Sequence, residues 1–193
     1  MRDRFLAPAL RHGAAADVAE RWWRELETRY SEPHRHYHTL RHIEEMLDLL
    51  PHADETVLMA VWFHDAIYGG QQNEERSAEL ARQALTELRF PSIDVVEQLI
   101  LATKTHGPSQ VDPRFQPFLD ADLAILGSAP ARYDEYAAQI RREYAHIPEA
   151  MFLSGRASVL RTFLAREAIY ASAEFRERFE AQARANIQRE LSA

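Results

Sequence analysis

Residues 57–68 read VLMAVWFHDAIY, seven consecutive apolar residues running straight into His64-Asp65. The flanks mark the run as a helix. Asp54 can cap it, the inward positions Val57, Ala60 and Val61 continue at helical spacing to His64, and Gly69-Gly70 stops it. An aspartate at the end of so apolar a helix needs a charge partner or a metal ion. The competing reading is a helix-terminal His favoured by the helix dipole, beside a solvated Asp.

Working outward, the same three- and four-residue spacing of apolar residues recurs along the chain and few residues signal strands, so the fold class is all-α. Val18, Trp22, Leu26 and Tyr30 form one face of a helix from Asp17 that stops before Pro33. A second helix is predicted over Tyr37–Leu50, ended by Pro51. Asn73 reads as the N-cap of a helix reaching about Leu88, with Glu74 and Glu75 in its first turn. Ser92 starts another, with Val96, Leu99, Ile100 and Thr103 inward and an end near His106-Gly107-Pro108. A polar loop from Pro108 to Pro117 leads into a helix at Phe118–Leu123. Pro130 opens a helix with the face Tyr133, Tyr136, Ala137, Ile140 and Tyr144, and two further helices follow Pro148, the later at Phe175–Leu191. Neither an internal repeat nor a linker stands out. The expectation is one domain over 1–193, with 148–193 as a C-terminal helical extension packed on it.

Composition narrows the function. The chain has 193 residues, 46% apolar and 27% charged, which suits a globular domain able to bury a core without disulfides or structural metal. With 23 Lys+Arg against 30 Asp+Glu the net charge is −7, the wrong sign for a surface dedicated to nucleic acid. Cysteine is absent, so a metal would be held by imidazole and carboxylate. The start MRDRFLAPALRHG lacks an apolar run of signal-peptide length and no stretch approaches the ~20 apolar residues of a membrane span, so a cytoplasmic location and no membrane partner are expected. GGQQNEE lacks the Lys-Ser/Thr of a phosphate-binding P-loop, and no Gly-x-Ser-x-Gly elbow occurs.

Six of the nine histidines fall within the 31 residues from His34 to His64. His42, beside the apolar positions Ile43, Met46 and Leu50, points inward, either as a satisfied core residue or as a ligand. His38, four residues earlier, competes for the same role. Asp122 is flanked by Phe118, Leu119, Ile125 and Leu126, so it reads as the buried carboxylate of its segment, while Asp120 reads as a cap of the helix start. Glu74 and Ser77 share a helix face with Ala78, Ala81 and Leu85. Glu74 is either a base or a helix-end charge, and His106 either an acid or a dipole-favoured terminal residue. Lys104 and Arg156 are candidate phosphate contacts.

The set His42, His64-Asp65, Asp122, together with YHTLRHI (37–43), AVWFHDAIY (60–68), NEERSAELA (73–81), THG (105–107) and FLDADLAILG (118–127), resembles the HD-domain superfamily of metal-dependent phosphohydrolases. GRASVLRTFLAREAIY (155–170) and ARANIQREL (183–191) are similar to its bacterial members too, so the resemblance covers nearly the whole chain. It implies an HD-like helical bundle with a metal site between helices. The implied ligands are His42, His64, Asp65 and Asp122, with Asp65 able to bridge toward a second ion. The implied activity is hydrolysis of a small phosphate ester, a nucleotide being one candidate, by metal-activated water. Asp65, Glu74 and His106 would be catalytic, and His38, Ser77 and Lys104 would face the substrate. Mn or Mg suits a phosphate substrate, with Fe, Co, Ni or Zn compatible with the same donors. Two rivals stand beside this reading: a di-iron oxygenase with His38 and His106 at a second iron, and a non-catalytic module binding a nucleotide or protein partner. The C-terminal helix could pair with a second copy in a homodimer.

Overall fold

The computed structural model describes residues 1–107 and 112–192; of the expected polar loop, positions 108–111 lie outside them. Among the described residues regular structure is helical throughout. In order the helices are α1 (Arg2–Arg11), α2 (Ala16–Tyr30), α3 (Leu40–Leu49), α4 (Glu55–Phe63), α5 (Asn73–Glu87), α6 (Ile93–Ala102), α7 (Gln116–Leu123), α8 (Pro130–Glu143), α9 (Glu149–Leu164) and α10 (Ala173–Ser192). Short 3-10 turns occupy Pro113–Phe115 and Ala124–Gly127. None of these helices is long and apolar enough to cross a membrane.

The chain divides into two compact units, Met1–Phe118 and Leu119–Ala193, and the division falls inside α7. No loop marks it, and the sequence reading of a C-terminal part beginning at 148 does not coincide with it.

In the first unit α4 is the central helix because it is apolar on every side. Met59, Ala60, Val61, Trp62 and Phe63 are fully buried. The Trp62 ring stands edge-on to Phe5 at 5.7 Å and to Trp23 at 5.8 Å, tying α4 to α1 and α2. Tyr30 donates a hydrogen bond to the Trp62 carbonyl at 2.9 Å. Asp54 caps α4 as expected, accepting from the Val57 N–H at 2.9 Å.

Three helix ends differ from the sequence reading. The helix expected from Tyr37 begins at Leu40, because Thr39 is extended and its hydroxyl caps the Arg41 N–H. Tyr37 and His38 therefore precede the helix. Asn73 is the first helical residue of α5 rather than its cap: Gln72, at φ 57°, takes the cap position, and the Asn73 side chain accepts from the Gly70 N–H at 3.1 Å. The helix expected to reach His106 ends at Ala102, and His106 sits in the following turn at φ 49°.

In the second unit the turn before α8 and the turn after α9 are fastened to α10. A Cβ on Gly127 would lie 2.6 Å from Phe179, so only glycine lets the 124–127 turn approach α10 this closely. Asn186 secures the same turn by donating to the carbonyls of Leu126 at 2.9 Å and Ser128 at 2.8 Å. Gly127→Ala is expected to cost about 1–3 kcal/mol by overpacking, lowering the thermal midpoint by roughly 5 °C; an unchanged midpoint in a melting experiment would refute the close approach. Tyr133 and Tyr136 of α8 meet Arg156 of α9 and Glu190 of α10 in one network, with Arg156 2.9 Å from both the Glu190 carboxylate and the Tyr136 hydroxyl. Burial raises the Glu190 carboxyl, but the hydrogen bond and charge of Arg156, the Tyr133 hydroxyl and the charge of Arg189 together hold it below its ordinary value. Arg156, a candidate phosphate contact, is thus engaged in holding helices together. Tyr144, expected on the buried face of α8, is exposed just beyond its end.

A short internal parallel appears that the sequence alone did not show. Ala66-Ile67-Tyr68 follows α4 and leads to α5; Ala168-Ile169-Tyr170 follows α9 and leads to α10. In each turn an arginine donates to backbone carbonyls: Arg35 to Asp65 and Ala66, Arg184 to Leu164, Arg166 and Glu167. In each, a side chain of the leaving helix accepts from the Ile N–H, Ser77 at 3.0 Å in one and Glu180 at 3.0 Å in the other. Three identical residues are too few to register as a repeat.

Candidate metal centre

The first unit brings together His42 from α3 with His64 and Asp65 from the end of α4. Their ligand atoms lie within 4.8 Å of one another. His64 follows the last turn of α4, which buries it to 1% exposure, and its Nδ1 lies 3.0 Å from the Val61 carbonyl. A carbonyl only accepts, so Nδ1 carries the hydrogen, which in the neutral ring leaves the lone pair on Nε2. That Nε2 is 3.2 Å from Nε2 of His42 and 3.1 Å from Oδ2 of Asp65, while His42 Nε2 is 3.8 Å from the same oxygen. Two donors each ~2.1 Å from one ion and at right angles to each other stand ~3 Å apart, and trans to each other ~4.2 Å apart. All three separations fall within that range. The donors are the imidazole and carboxylate that divalent first-row metals take.

The surroundings fix the rings. Phe118 stands edge-on to His64 with centroids 6.0 Å apart, and Tyr37 lies 4.9 Å from His42. His38, outside the helix, stacks on Tyr68 at 4.1 Å and places its Nε2 3.9 Å from Asp65 Oδ2. His42 is therefore the histidine facing His64, and His38 stands on the outer side of Asp65. Gly69, at φ 87°, is required where the turn passes His34, since a Cβ there would lie 2.9 Å from the His34 ring.

One residue at this centre escaped the sequence reading. The Arg35 side chain is fully buried, donating from Nη1 to the carbonyls of His38 at 3.1 Å and Asp65 at 2.8 Å, from Nη2 to Ala66 at 3.0 Å, and from Nε to Glu32 at 2.9 Å. Its guanidinium lies 5.1 Å from the Tyr30 ring and 5.5 Å from Tyr68. Arginine is ordinarily exposed, and a lone Arg after a helix stop carries no signal of burial.

Ser77 is fully buried, and its hydroxyl bonds both the N–H and the carbonyl of Ile67, which makes it a support of the turn. Lys104 pairs with Glu75, whose hydrogen bond raises the ammonium pKa, helped by the charges of Glu75 and Glu74. Glu74, half-buried, lies in the first turn of α5, and His106 is half-buried in the turn after α6. The expectation for the FLDADL segment needs correcting. Asp120 is the buried carboxylate, at 1% exposure, and Asp122 is only half-buried. Asp120 caps not its own helix but α10, accepting from the Ala171 N–H at 2.9 Å, the Ser172 N–H at 2.7 Å and the Ser172 hydroxyl at 2.5 Å. Asp122 lies in the second unit, on α7, one turn beyond Phe118.

Compared with known protein families, with curated proteins and with solved structures, the chain matches none.

Proposed function

We propose that this chain is a metal-dependent phosphohydrolase acting on a small phosphate ester, with His42, His64, Asp65 and Asp122 as the ligands of one divalent ion. The observation that carries the reading is the 3.2 Å approach of two buried imidazole nitrogens beside a carboxylate oxygen. With its Nδ1 hydrogen committed to Val61, His64 offers a lone pair, and a cation is the natural partner for such a nitrogen facing a second imidazole and a carboxylate. Asp122 enters as the fourth ligand on the motif order His42, His64-Asp65, Asp122 that the chain shares with the HD-domain superfamily it resembles. Mn or Mg suits phosphate oxygens.

When bound, a divalent ion supplies Lewis acidity, offsetting charge on phosphate oxygens and acidifying water. The chain's own groups do the rest. Val61 fixes the His64 tautomer, and the apolar helix α4 keeps water from the rear of the imidazoles. His38, held by its stack on Tyr68, contacts the phosphate and holds a proton at Nε2 on the outer side of Asp65. Glu74 and His106 are the further acid–base candidates.

To test this, the chain is stripped with a chelator, reloaded separately with Mn, Mg, Fe and Zn, analysed for metal content and assayed on p-nitrophenyl phosphate. About one ion per chain with hydrolysis is expected, and Asp122→Ala should weaken retention ~10–100-fold or more. A wild-type chain that retains no metal would overturn the reading. A second reading, a di-iron oxygenase, draws on His38 Nε2 lying 3.9 Å from Asp65, close enough for both to hold a second ion; two irons per chain with oxygen uptake would select it.

A further inference from the structure

We infer that Arg35 is a positioning residue for the metal centre, holding the Asp65 turn and the segment before α3 in the one register that lets His42, His64 and Asp65 converge. The inference rests on the metal reading above.

A fully buried guanidinium is costly unless its N–H groups are spent. Four donor contacts are made, and their distribution is informative: one to Glu32, one to the His38 carbonyl, and two to the carbonyls of Asp65 and Ala66. The fork of Nη1 spans two chain segments, bonding residue 38 on one side and residue 65 on the other. One of these segments leads into the helix of His42, and the other is the turn that contains Asp65. Tyr30 and Tyr68 lie against the guanidinium, and Tyr68 also carries the stacked ring of His38. Thus the backbone angle that aims the Asp65 carboxylate, and the ring that flanks it, are both fixed by this one side chain. A lysine in its place would keep the charge, but a single ammonium lacks the planar fork that reaches both segments at once.

The second unit supplies a matched comparison. Arg184 makes the same kind of carbonyl contacts in the turn between α9 and α10, where Arg166 and Glu167 stand in place of His64 and Asp65. Losing that arginine's fork removes support from a turn that carries none of the proposed metal ligands.

The experiment compares wild type, Arg35→Lys and Arg184→Lys as full chains, titrated with Co(II) and followed by the visible absorption of the bound ion and by thermal melting. Arg35→Lys is expected to weaken Co(II) binding ~10–100-fold and to change the band shape, because ligand geometry sets it. Arg184→Lys should lower the melting midpoint while leaving affinity and spectrum as in wild type. If Arg35→Lys lowers the midpoint but keeps wild-type affinity within about twofold and the same spectrum, Arg35 is only structural and the inference fails. If Arg35→Lys is not recovered folded, Arg35→Gln, whose amide keeps one carbonyl bond, is read by the same criteria. Failure of wild type to bind Co(II) would instead bring down the metal reading and this inference with it.

Discussion

Asp65→Asn is expected to abolish retention of a divalent ion, with affinity falling ~100-fold or more and phosphate-ester hydrolysis lost. The substitution keeps the size of the side chain, and Asp65 is only partly buried, so the fold has little to lose. What changes is charge. The carboxylate is the one anion among the three groups that converge in the first unit, its Oδ2 lying 3.1 Å from His64 and 3.8 Å from His42. A neutral amide in its place offers a weaker oxygen or, turned over, two hydrogens that repel a cation. Melting with and without added metal separates the outcomes: the wild-type midpoint should rise with metal because the ion binds the folded chain, and that of Asp65→Asn should not. A variant that still gains stability from metal would place the ion elsewhere.

The second large effect is on stability. Asp120→Ala should destabilise the chain by about 3 kcal/mol and lower the melting midpoint by roughly 10 °C. The buried carboxylate accepts two backbone N–H groups and one hydroxyl at the start of α10. Removing it leaves those donors unsatisfied, a larger loss than that of an exposed cap. Asp120→Asn, with one acceptor oxygen left, should fall between. Asp122→Ala, two residues on and half-buried, should leave the metal-free midpoint near that of wild type. Differential scanning calorimetry of the three metal-free variants checks the order, and a midpoint for Asp120→Ala close to wild type would remove Asp120 from its role on α10.

These two aspartates show how far the sequence could be read. The helices were legible wherever apolar spacing is set by burial, α4 most clearly, and its Asp54 cap was legible because capping is a local bargain within four residues. His42, His64 and Asp65 could be picked out because imidazole and carboxylate beside apolar positions demand an explanation. Asp120 and Arg35 could not. Beside Glu32 and His38 close to Arg35 and the Ser172 hydroxyl on Asp120, the partners that bury them are Ala171 and Asp65, 51 and 30 residues away in the chain, and these take part through backbone groups, which every residue type carries alike. Nothing in the identity of Ala171 or Asp65 announces that its N–H or carbonyl awaits a distant side chain. The start of α3 was misplaced for a related reason: Tyr37 and His38 suit a helix, and only the Thr39 cap and the turn before it exclude them. The division between the units, falling within α7, has no linker for composition to reveal.

The two turns built around Ala-Ile-Tyr carry a consequence of their own. One chain holds two versions of the same corner, alike in backbone support and differing in the side chains at its head. Whatever chemistry belongs to His64-Asp65 therefore cannot be credited to the corner itself, because the corner also exists with Arg166-Glu167 at its head, their backbone carbonyls accepting from Arg184. The protein carries its own negative control, and since Glu167 also puts a carboxylate at the place of Asp65, it is the two imidazoles that set the first copy apart.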